Sequence, residues 1–162
     1  MIKPVRKAVF PVAGQGTRFL PATKSVPKEM MPVIDKPLVQ YAVEEASAAG
    51  IKEFIFVTSK GKSVIEDYFD HNYELEFSLK EKGKLEILDC IQSIIPKTGQ
   101  VFFTRQNKPL GLGHAVWCAR HHVKDEPFSV LLPDDLILAE TGCLEQMLQV
   151  YNEIGGNIVA VQ

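Results

Sequence analysis

The residues with the clearest chemical potential lie in one loop near the amino terminus. An apolar run from Lys7 to Val12 predicts a buried strand, and the chain then continues as Ala13-Gly14-Gln15-Gly16-Thr17-Arg18. Two glycines two positions apart allow positive φ angles and let backbone N–H groups approach a ligand closely. Thr17 adds a hydroxyl, and Arg18 adds a planar fork of donors that suits phosphate oxygens. The pattern therefore predicts a phosphate-binding loop.

A lysine follows ten residues after this arginine, in a segment rich in proline. Pro21, Pro27 and Pro32 restrict the backbone around Lys28, so its ammonium group is presented at a set position without a helix. We therefore expect Lys28 to supply a second cation to the phosphates.

Other interpretations of the glycine loop remain open at this point. A Gly-x-Gly after a strand also occurs in many α/β proteins that bind nothing there. A dinucleotide-binding loop needs a third glycine near position 19, where this chain has Phe19, and a P-loop needs Gly-Lys-Ser/Thr, which this loop does not contain. The loop thus fits neither of the two common phosphate motifs.

A pair of carboxylates follows a later apolar run. Residues 128–132 predict a strand, and Pro133-Asp134-Asp135 comes directly after it. Carboxylate oxygens at the carboxyl edge of a sheet are suitable ligands for Mg²⁺ that bridges phosphates. An Asp-Asp pair after a strand is also a common turn sequence, so both interpretations are kept.

Four segments resemble bacterial UTP–glucose-1-phosphate uridylyltransferases, within the wider sugar-phosphate nucleotidyltransferases. They are, in order, FPVAGQGTRFLPATKSVPKEMMPVIDKPLVQYAVEEA, IFVTSKGKSVIEDYFD, RQNKPLGLGHAVWCA and PFSVLLPDDLI. The similarity covers nearly the whole chain in the family's order. Because members of that family extend considerably further, we expect residues 1–162 to be the N-terminal part of a nucleotidyltransferase domain whose C-terminal portion is missing.

The resemblance implies a fold and a set of phosphate ligands. The fold is an α/β, three-layer, Rossmann-like domain of the glycosyltransferase-A type with a mainly parallel sheet. Arg18 and Lys28 are implied as catalytic residues, on the departing pyrophosphate and the reacting phosphates respectively. Asp134 is implied as the Mg²⁺ ligand, while Asp135 is left open. The implied nucleotide-binding residues in the glycine loop are Ala13, Gly14, Gly16 and Thr17.

A second glycine loop predicts the base site. Gln106 and Gly111 lie between a predicted strand, residues 100–104, and a predicted helix, residues 114–122. A primary amide donates and accepts at once, so Gln106 could pair with the imide edge of uracil, and Gly111 would let the backbone approach the base. In the resembling family the matching residues contact the base. His114 is interpreted as a helix cap or packing residue.

The remaining pattern predicts the elements that position these loops. Alternation of strands and helices favours a parallel sheet with right-handed crossovers. Two amphipathic helices broken near Gly83 are expected between residues 71 and 95, at the periphery. Further predicted elements are helices at 35–50, 61–69 and 141–154, the last one capped, and strands at 54–58 and 157–162.

Several polar groups are interpreted as structural. Glu44 and Glu45 are adjacent in a predicted helix and point about 100° apart, which favours solvated or salt-bridged roles over catalysis. His71 has no carboxylate or second histidine at ligand spacing and is expected at the surface or in packing. The cysteines, odd in number and without a C-x-x-C pair, are expected to be reduced thiols: Cys90, Cys118 and Cys143.

Length and charge bound the class of protein. A chain of 162 residues fits one domain, and its net charge of −2 gives no basic surface for nucleic acid. No apolar stretch approaches the roughly 20 residues of a transmembrane helix, and the amino terminus does not form a signal peptide. We therefore expect a cytoplasmic protein without nucleic-acid or membrane partners.

The resemblance implies the reaction of UTP with α-D-glucose 1-phosphate to give UDP-glucose and pyrophosphate, in a homo-oligomer when the protein is full length. The second pKa of a phosphate monoester is about 6, so the nucleophile is already ionised at neutral pH and needs no general base. Two alternatives stay open. One is a nucleotide-binding fragment or regulatory paralogue without turnover, and the other is a dehydrogenase fragment, which the missing glycine disfavours.

Overall fold

The computed structural model describes residues 2–161 and contains a four-stranded parallel sheet with helices on both faces. The order of strands in the sheet is β5-β4-β1-β6, and β2 and β3 form a separate antiparallel pair. The strands are β1 (Lys7–Pro11), β2 (Pro32–Val33), β3 (Lys36–Pro37), β4 (Glu53–Thr58), β5 (Val101–Arg105) and β6 (Phe128–Val130).

Seven α-helices connect and cover these strands within the described residues. They are α1 (Leu38–Ala48), α2 (Ser63–Tyr68), α3 (Tyr73–Glu81), α4 (Leu85–Ser93), α5 (Leu112–Cys118), α6 (Arg120–Val123) and α7 (Cys143–Ile154). Three short 3₁₀ turns lie between β1 and β2, at Thr17–Phe19, Ala22–Lys24 and Lys28–Met30. None of these helices combines the length and the apolarity needed to cross a membrane.

Strands β1 and β4 are buried on both sides, which explains their nearly continuous apolar sequences. Side chains of a strand alternate between the two faces. Phe10 and Phe56 stack on one face with ring centroids 5.0 Å apart, and both side chains are fully buried, each contributing about 1.5–3 kcal/mol. The same core includes residues of α1, α2 and α7.

The opposite face of the sheet packs against α5 and α6. Val9, Ile55 and Val57 contact Ala115 and Ala119 in a second buried cluster. The molecule therefore has three layers, with α1, α2 and α7 on one side and α5 and α6 on the other. This confirms the predicted α/β, three-layer, Rossmann-like fold with a parallel sheet.

The order of the strands reverses at β1. The chain proceeds outward from β1 to β4 and β5, and it then returns to place β6 on the other side of β1. Open α/β sheets bind ligands at the carboxyl ends of their strands, next to such a reversal. Here the loops after β1 and β6 flank that position, and they contain the predicted glycine loop and Asp134.

Several predicted elements differ from the structure. The predicted helix at 114–122 is two helices, because the chain tightens to an i→i−3 bond at Ala119. Helix α7 begins at Cys143, and its N-cap residue, Gly142, has no side chain to cap it; instead, Glu45 Oε1 of α1 accepts from the Leu144 N–H at 2.8 Å. Residues 157–161 form no strand, so that prediction is wrong over the described part of the segment, and Gln162 lies outside the described residues.

Candidate active site

The loops at the carboxyl ends of β1, β4 and β5 enclose a cleft of about 500 Å³. All strands of the sheet run parallel, so their carboxyl ends meet at one edge. Both predicted ligand loops contribute to the cleft, although they are about ninety residues apart in the sequence. Its lining consists of Ala13, Gln15, Ser59, Lys60, Arg105, Gln106, Asn107 and Pro109.

The glycine loop is fixed at Gly16. Its φ angle is +65°, in the left-handed region, and its carbonyl oxygen accepts from Thr23 Oγ1 at 2.7 Å. A Cβ atom at Gly16 would lie 3.1 Å from Thr23 Cγ2 and 3.4 Å from Lys28 Cβ. Glycine is therefore required at position 16 both for its backbone angle and for space. A Cβ atom at Gly14 would have only Lys28 Cε within 4 Å, at 3.8 Å, so the lysine side chain passes along the loop.

Thr17 and Arg18 lie on the exposed 3₁₀ turn that follows Gly16. The turn is closed by the Phe19 N–H, which donates to the Gly16 carbonyl at 3.0 Å. Among residues 2–161, the Arg18 guanidinium makes no hydrogen bond or ion pair. Its donors are thus available to an anion at the mouth of the loop.

Lys28 is brought into contact with Asp134. Lys28 Nζ lies 2.6 Å from Asp134 Oδ2, and the two side chains are 20% and 30% exposed. Lys28 lies on a 3₁₀ turn rather than on the irregular segment expected from the prolines. The predicted phosphate cation and the predicted metal ligand therefore share one end of the site, beside the glycine loop.

A buried ion pair involves Glu29, the residue that follows Lys28. Lys62 Nζ donates to Glu29 Oε2 at 2.8 Å, and Glu29 is completely buried, with no partner for Oε1 among residues 2–161. Burial lowers the pKa of the Lys62 ammonium, and Glu29 opposes that shift. The charges of Lys28 and Asp134 also act on the Lys62 pKa, in opposite directions, so the two ion pairs form one electrostatic cluster.

Sequence reasoning did not identify Glu29, Lys62, Lys60 or Arg105 as part of the site. One signal was available, because Lys60 and Lys62 follow the carboxyl end of β4, where ligands bind in parallel sheets. For Glu29 there was no such signal, since a glutamate in a polar loop is normally exposed.

Gln106 and Gly111 lie close together at the other end of the cleft. The backbone N–H of Gln106 donates to the Thr58 carbonyl oxygen at 2.9 Å, and this bond extends the pairing of β5 with β4. Its side-chain Nε2 donates to Gly111 O at 3.0 Å and lies 3.0 Å from His114 Nδ1. The amide nitrogen is thus engaged within the protein, which corrects the expectation that the Gln106 amide offers both a donor and an acceptor to a base.

The residues at Asp134 fit a loosely held magnesium ion. Among residues 2–161 no cluster of three or more His, Cys, Asp or Glu side chains could enclose a metal. Asp134 Oδ2 is paired with Lys28, and Oδ1 has no hydrogen bond within the same part of the chain. Since Mg²⁺ prefers oxygen ligands and retains several waters, one carboxylate together with phosphate oxygens is a suitable ligand set.

The polar groups interpreted as structural have partners away from the cleft. Glu44 pairs with Lys36 at 3.0 Å, and Glu45 caps α7. His71 lies at the surface but has a carboxylate partner that the spacing did not reveal, Glu76, at 2.8 Å. All three cysteines are free thiols, as predicted.

Comparisons with known proteins agree with this geometry. UTP–glucose-1-phosphate uridylyltransferase YngB of Bacillus subtilis strain 168 is 54% identical over 162 residues, which cover 100% of this chain and 54% of that protein. A UTP-bound UGPase from Acinetobacter baumannii is 49% identical with a TM-score of 0.88, covering 93% of this chain and 53% of that one. A UDP-glucose pyrophosphorylase complexed with UDP-glucose is 43% identical with a TM-score of 0.78, covering 92% and 54%.

The chain spans about half the length of the curated relatives it matches. The family model described as nucleotidyl transferase matches residues 7–162, which include both glycine loops, Lys28 and Asp134. On this match, and on the identity to the relatives, the chain belongs to the nucleotidyl transferase family.

Proposed function

We propose that this chain is the nucleotide-binding part of a UTP–glucose-1-phosphate uridylyltransferase, which forms UDP-glucose and pyrophosphate from UTP and glucose 1-phosphate. One observation carries the proposal. The glycine loop, Lys28 and Asp134 meet at one edge of the sheet, and Gln106 lies in the cleft that the same loop borders. The names of the relatives support the choice of substrates.

The residues act by positioning and by neutralising charge. Backbone N–H groups between Ala13 and Thr17 face the phosphates, Arg18 neutralises the departing pyrophosphate, and Lys28 binds the reacting phosphates. Glucose 1-phosphate attacks the α-phosphorus in line as an anion, so the reaction needs no general base from the protein. This agrees with a site that has cations but no histidine beside them.

Asp134 would hold the magnesium ion that belongs to this proposal. When bound, the ion supplies positive charge to the phosphate oxygens. Because Asp134 lies beside Lys28, the lysine and the metal would have to share the carboxylate and phosphate oxygens. The carboxylate of Asp134 would then pair with the metal, and Lys28 would turn toward a phosphate.

A second candidate function is nucleotide binding without turnover. It is favoured because no cluster of three or more His, Cys, Asp or Glu side chains among residues 2–161 could enclose a metal. Asp134 is also the only carboxylate in contact with Lys28 among residues 2–161. A second carboxylate ligand for the metal would then have to come from outside residues 2–161.

Pyrophosphate release separates the two functions. The assay compares the 162-residue chain with a chimera in which it is followed by the remaining part of the Bacillus subtilis relative. We expect Mg²⁺-assisted UTP binding by the chain, very weak or no UDP-glucose synthesis by it alone, and synthesis by the chimera. Fast synthesis by the chain alone would show that it already contains the second metal ligand and the sugar pocket. A chimera that binds UTP but never turns over would instead favour the binding function.

A further inference from the structure

The side-chain amide of Gln106 is held at a fixed place in the cleft. The residue is 8% exposed, and its backbone N–H is bonded to Thr58 at the end of β4. The amide nitrogen lies 3.0 Å from Gly111 O and 3.0 Å from His114 Nδ1. Both neighbours come from the loop and the helix that follow, so the amide is held from two directions.

The chemistry of Gly111 determines which way the amide points. A backbone carbonyl oxygen only accepts hydrogen bonds, so the group 3.0 Å from it must be the NH₂ and not the amide oxygen. The reverse orientation would bring two carbonyl oxygens together without a hydrogen between them. Nε2 of Gln106 therefore faces Gly111, independently of how the two amide atoms are assigned.

His114 accepts the second hydrogen of the same amide. The amide nitrogen has two hydrogens and does not accept, so the ring nitrogen 3.0 Å away must be the acceptor. His114 is therefore neutral in this arrangement, with its proton on Nε2. Its ring stacks on Trp117 with centroids 5.8 Å apart and an interplanar angle of 26°, which fixes the plane of the imidazole.

Only the amide oxygen of Gln106 remains for a ligand. Within residues 2–161 no group donates to Oε1, and this atom is not among the fully buried ones. Two other side chains that line the cleft, Lys60 and Arg105, are donors only. The cleft thus offers an acceptor of fixed orientation at Gln106 and donors at Lys60 and Arg105, while Gln15, Ser59 and Asn107 in its lining can donate or accept.

We infer that His114 is a positioning residue that sets base specificity, because it engages the amide hydrogen that Gly111 leaves free and so leaves Gln106 only its oxygen for a ligand. Uracil presents an N3–H donor between two carbonyl oxygens, which matches the fixed acceptor at Gln106 beside the donors of Lys60 and Arg105. Cytosine presents an unprotonated N3 beside an amino group, so an acceptor would face an acceptor. This inference rests on the proposed function and narrows it to bases with a protonated N3. We expect UTP to bind on the order of 10- to 100-fold more tightly than CTP.

The experiment measures the dissociation constants of UTP and CTP, each with Mg²⁺, by calorimetry on the 162-residue chain and three variants. His114→Phe keeps a ring against Trp117 but removes the acceptor, so Nε2 of Gln106 keeps its bond to Gly111 O while its second hydrogen becomes free to donate to a ligand. For this variant we expect the preference for UTP, given by the dissociation constant of CTP divided by that of UTP, to fall by about tenfold. His114→Asn returns an acceptor oxygen near the position of Nδ1 and should restore the ratio. His121→Phe, at an exposed position of α6, is the matched control and should leave the ratio unchanged.

A second measurement does not depend on ligand binding or on the folding of a variant. Nitrogen-15 NMR of the ligand-free chain should show an unprotonated Nδ1 and a protonated Nε2 for His114. A proton on Nδ1 would overturn the inference, and so would equal binding of UTP and CTP by the parent chain. Retention of the full ratio by folded His114→Phe would overturn it as well. Failure of the parent chain to bind UTP at all would contradict the proposed function instead, and the NMR result would still decide the state of His114.

Discussion

Lys28 Nζ and Asp134 Oδ2 lie 2.6 Å apart although 106 positions separate the two residues in the sequence. The cation proposed for the phosphates and the carboxylate proposed for the metal thus neutralise each other. Binding of a magnesium nucleotide must replace this ion pair with two new ones. The contact therefore has opposite effects on nucleotide binding in the presence and in the absence of the metal.

Asp134→Asn should reveal these opposite effects of the ion pair on UTP binding. Without metal, in EDTA, we expect the variant to bind UTP as tightly as the parent chain or more tightly, because Lys28 is released to the phosphates. With Mg²⁺, the parent chain should bind more tightly than in EDTA, and the variant should gain nothing from the ion. Calorimetry under both conditions measures the two effects.

The matched control is Asp135→Asn, one position further along the same loop. The Asp135 backbone N–H donates to Leu132 O, and its carboxylate makes no contact with Lys28. We expect the Mg²⁺ effect on UTP binding to be unchanged in this variant. If Asp135→Asn lost the Mg²⁺ effect and Asp134→Asn kept it, Asp135 and not Asp134 would be the metal ligand.

Arg18→Ala and Lys28→Ala should each lower turnover by on the order of a hundredfold or more in the chimera that completes the chain. The charge that develops on the phosphates would lose a donor, and neither side chain belongs to the buried core. Pyrophosphate release gives the rate, and circular dichroism shows whether the variants fold. Lys24→Ala, an exposed cation on the neighbouring 3₁₀ turn, is the control and should keep its rate. A near-normal rate in either test variant would remove that residue from the mechanism.

Gly16→Ala should destabilise the chain more than alanine at another glycine with positive φ. The left-handed conformation costs alanine roughly 1–2 kcal/mol. At Gly16 the new Cβ would in addition lie 3.1 Å from Thr23 Cγ2, whereas at Gly61, with φ of +83°, nothing lies within 4 Å. Urea unfolding of Gly16→Ala and Gly61→Ala separates the crowding from the backbone strain. Equal losses would mean that Thr23 and Lys28 move away without cost.

Lys62→Met should destabilise the chain by on the order of 3–5 kcal/mol, because it leaves the buried Glu29 carboxylate without its partner. Removing both charges in Glu29→Gln/Lys62→Met should recover much of that loss. Lys60→Met, an exposed lysine two positions away, should stay within about 0.5 kcal/mol of the parent. The measurement is the free energy of unfolding in urea. A double variant as unstable as the single one would show that the loss does not arise from the unpaired carboxylate.

The same pair makes stability depend on alkaline pH. Burial lowers the Lys62 pKa below its ordinary value of 10.5, so the folded chain releases this proton at a lower pH than the unfolded chain. Between the lowered pKa and 10.5 the unfolded chain binds more protons, and the contribution of Lys62 to the free energy of unfolding rises with pH. The difference in stability between the parent chain and Lys62→Met should therefore grow as the pH approaches 10.5. A constant difference would mean that the Lys62 pKa is the same in both states.

The sequence predicted those features that depend on local pattern. Apolar runs predicted the four strands of the sheet, and the break near Gly83 predicted the peripheral pair α3 and α4. Contacts between distant segments were not predictable in this way. The pairs Lys28–Asp134, Glu29–Lys62 and Glu45–Leu144 each join different elements, and no spacing rule connects their members.

The incorrect strand at residues 157–161 has the same cause. Its composition is suited to a strand, but a strand exists only where a neighbour pairs with it, and Val159 remains 77% exposed. The Gln106 amide shows the corresponding limit within the site. The residue type predicted an amide that both donates to and accepts from a ligand. Gly111 and His114 bind the amide nitrogen, so only the amide oxygen remains for the cleft.

The position of β1 in the sheet has a consequence for the order in which the chain folds. β1 is synthesised well before β6, yet it pairs with β6 on one side, with Lys7 opposite Phe128. Until that late segment has been synthesised, β1 can only form the edge of a three-stranded sheet, and the backbone groups on one side of this mostly apolar strand are unpaired. Pairing over such a distance is slow, so β1 is the strand most exposed to aggregation during synthesis. We therefore expect nascent chains that end before β6 to aggregate more readily than chains that include it.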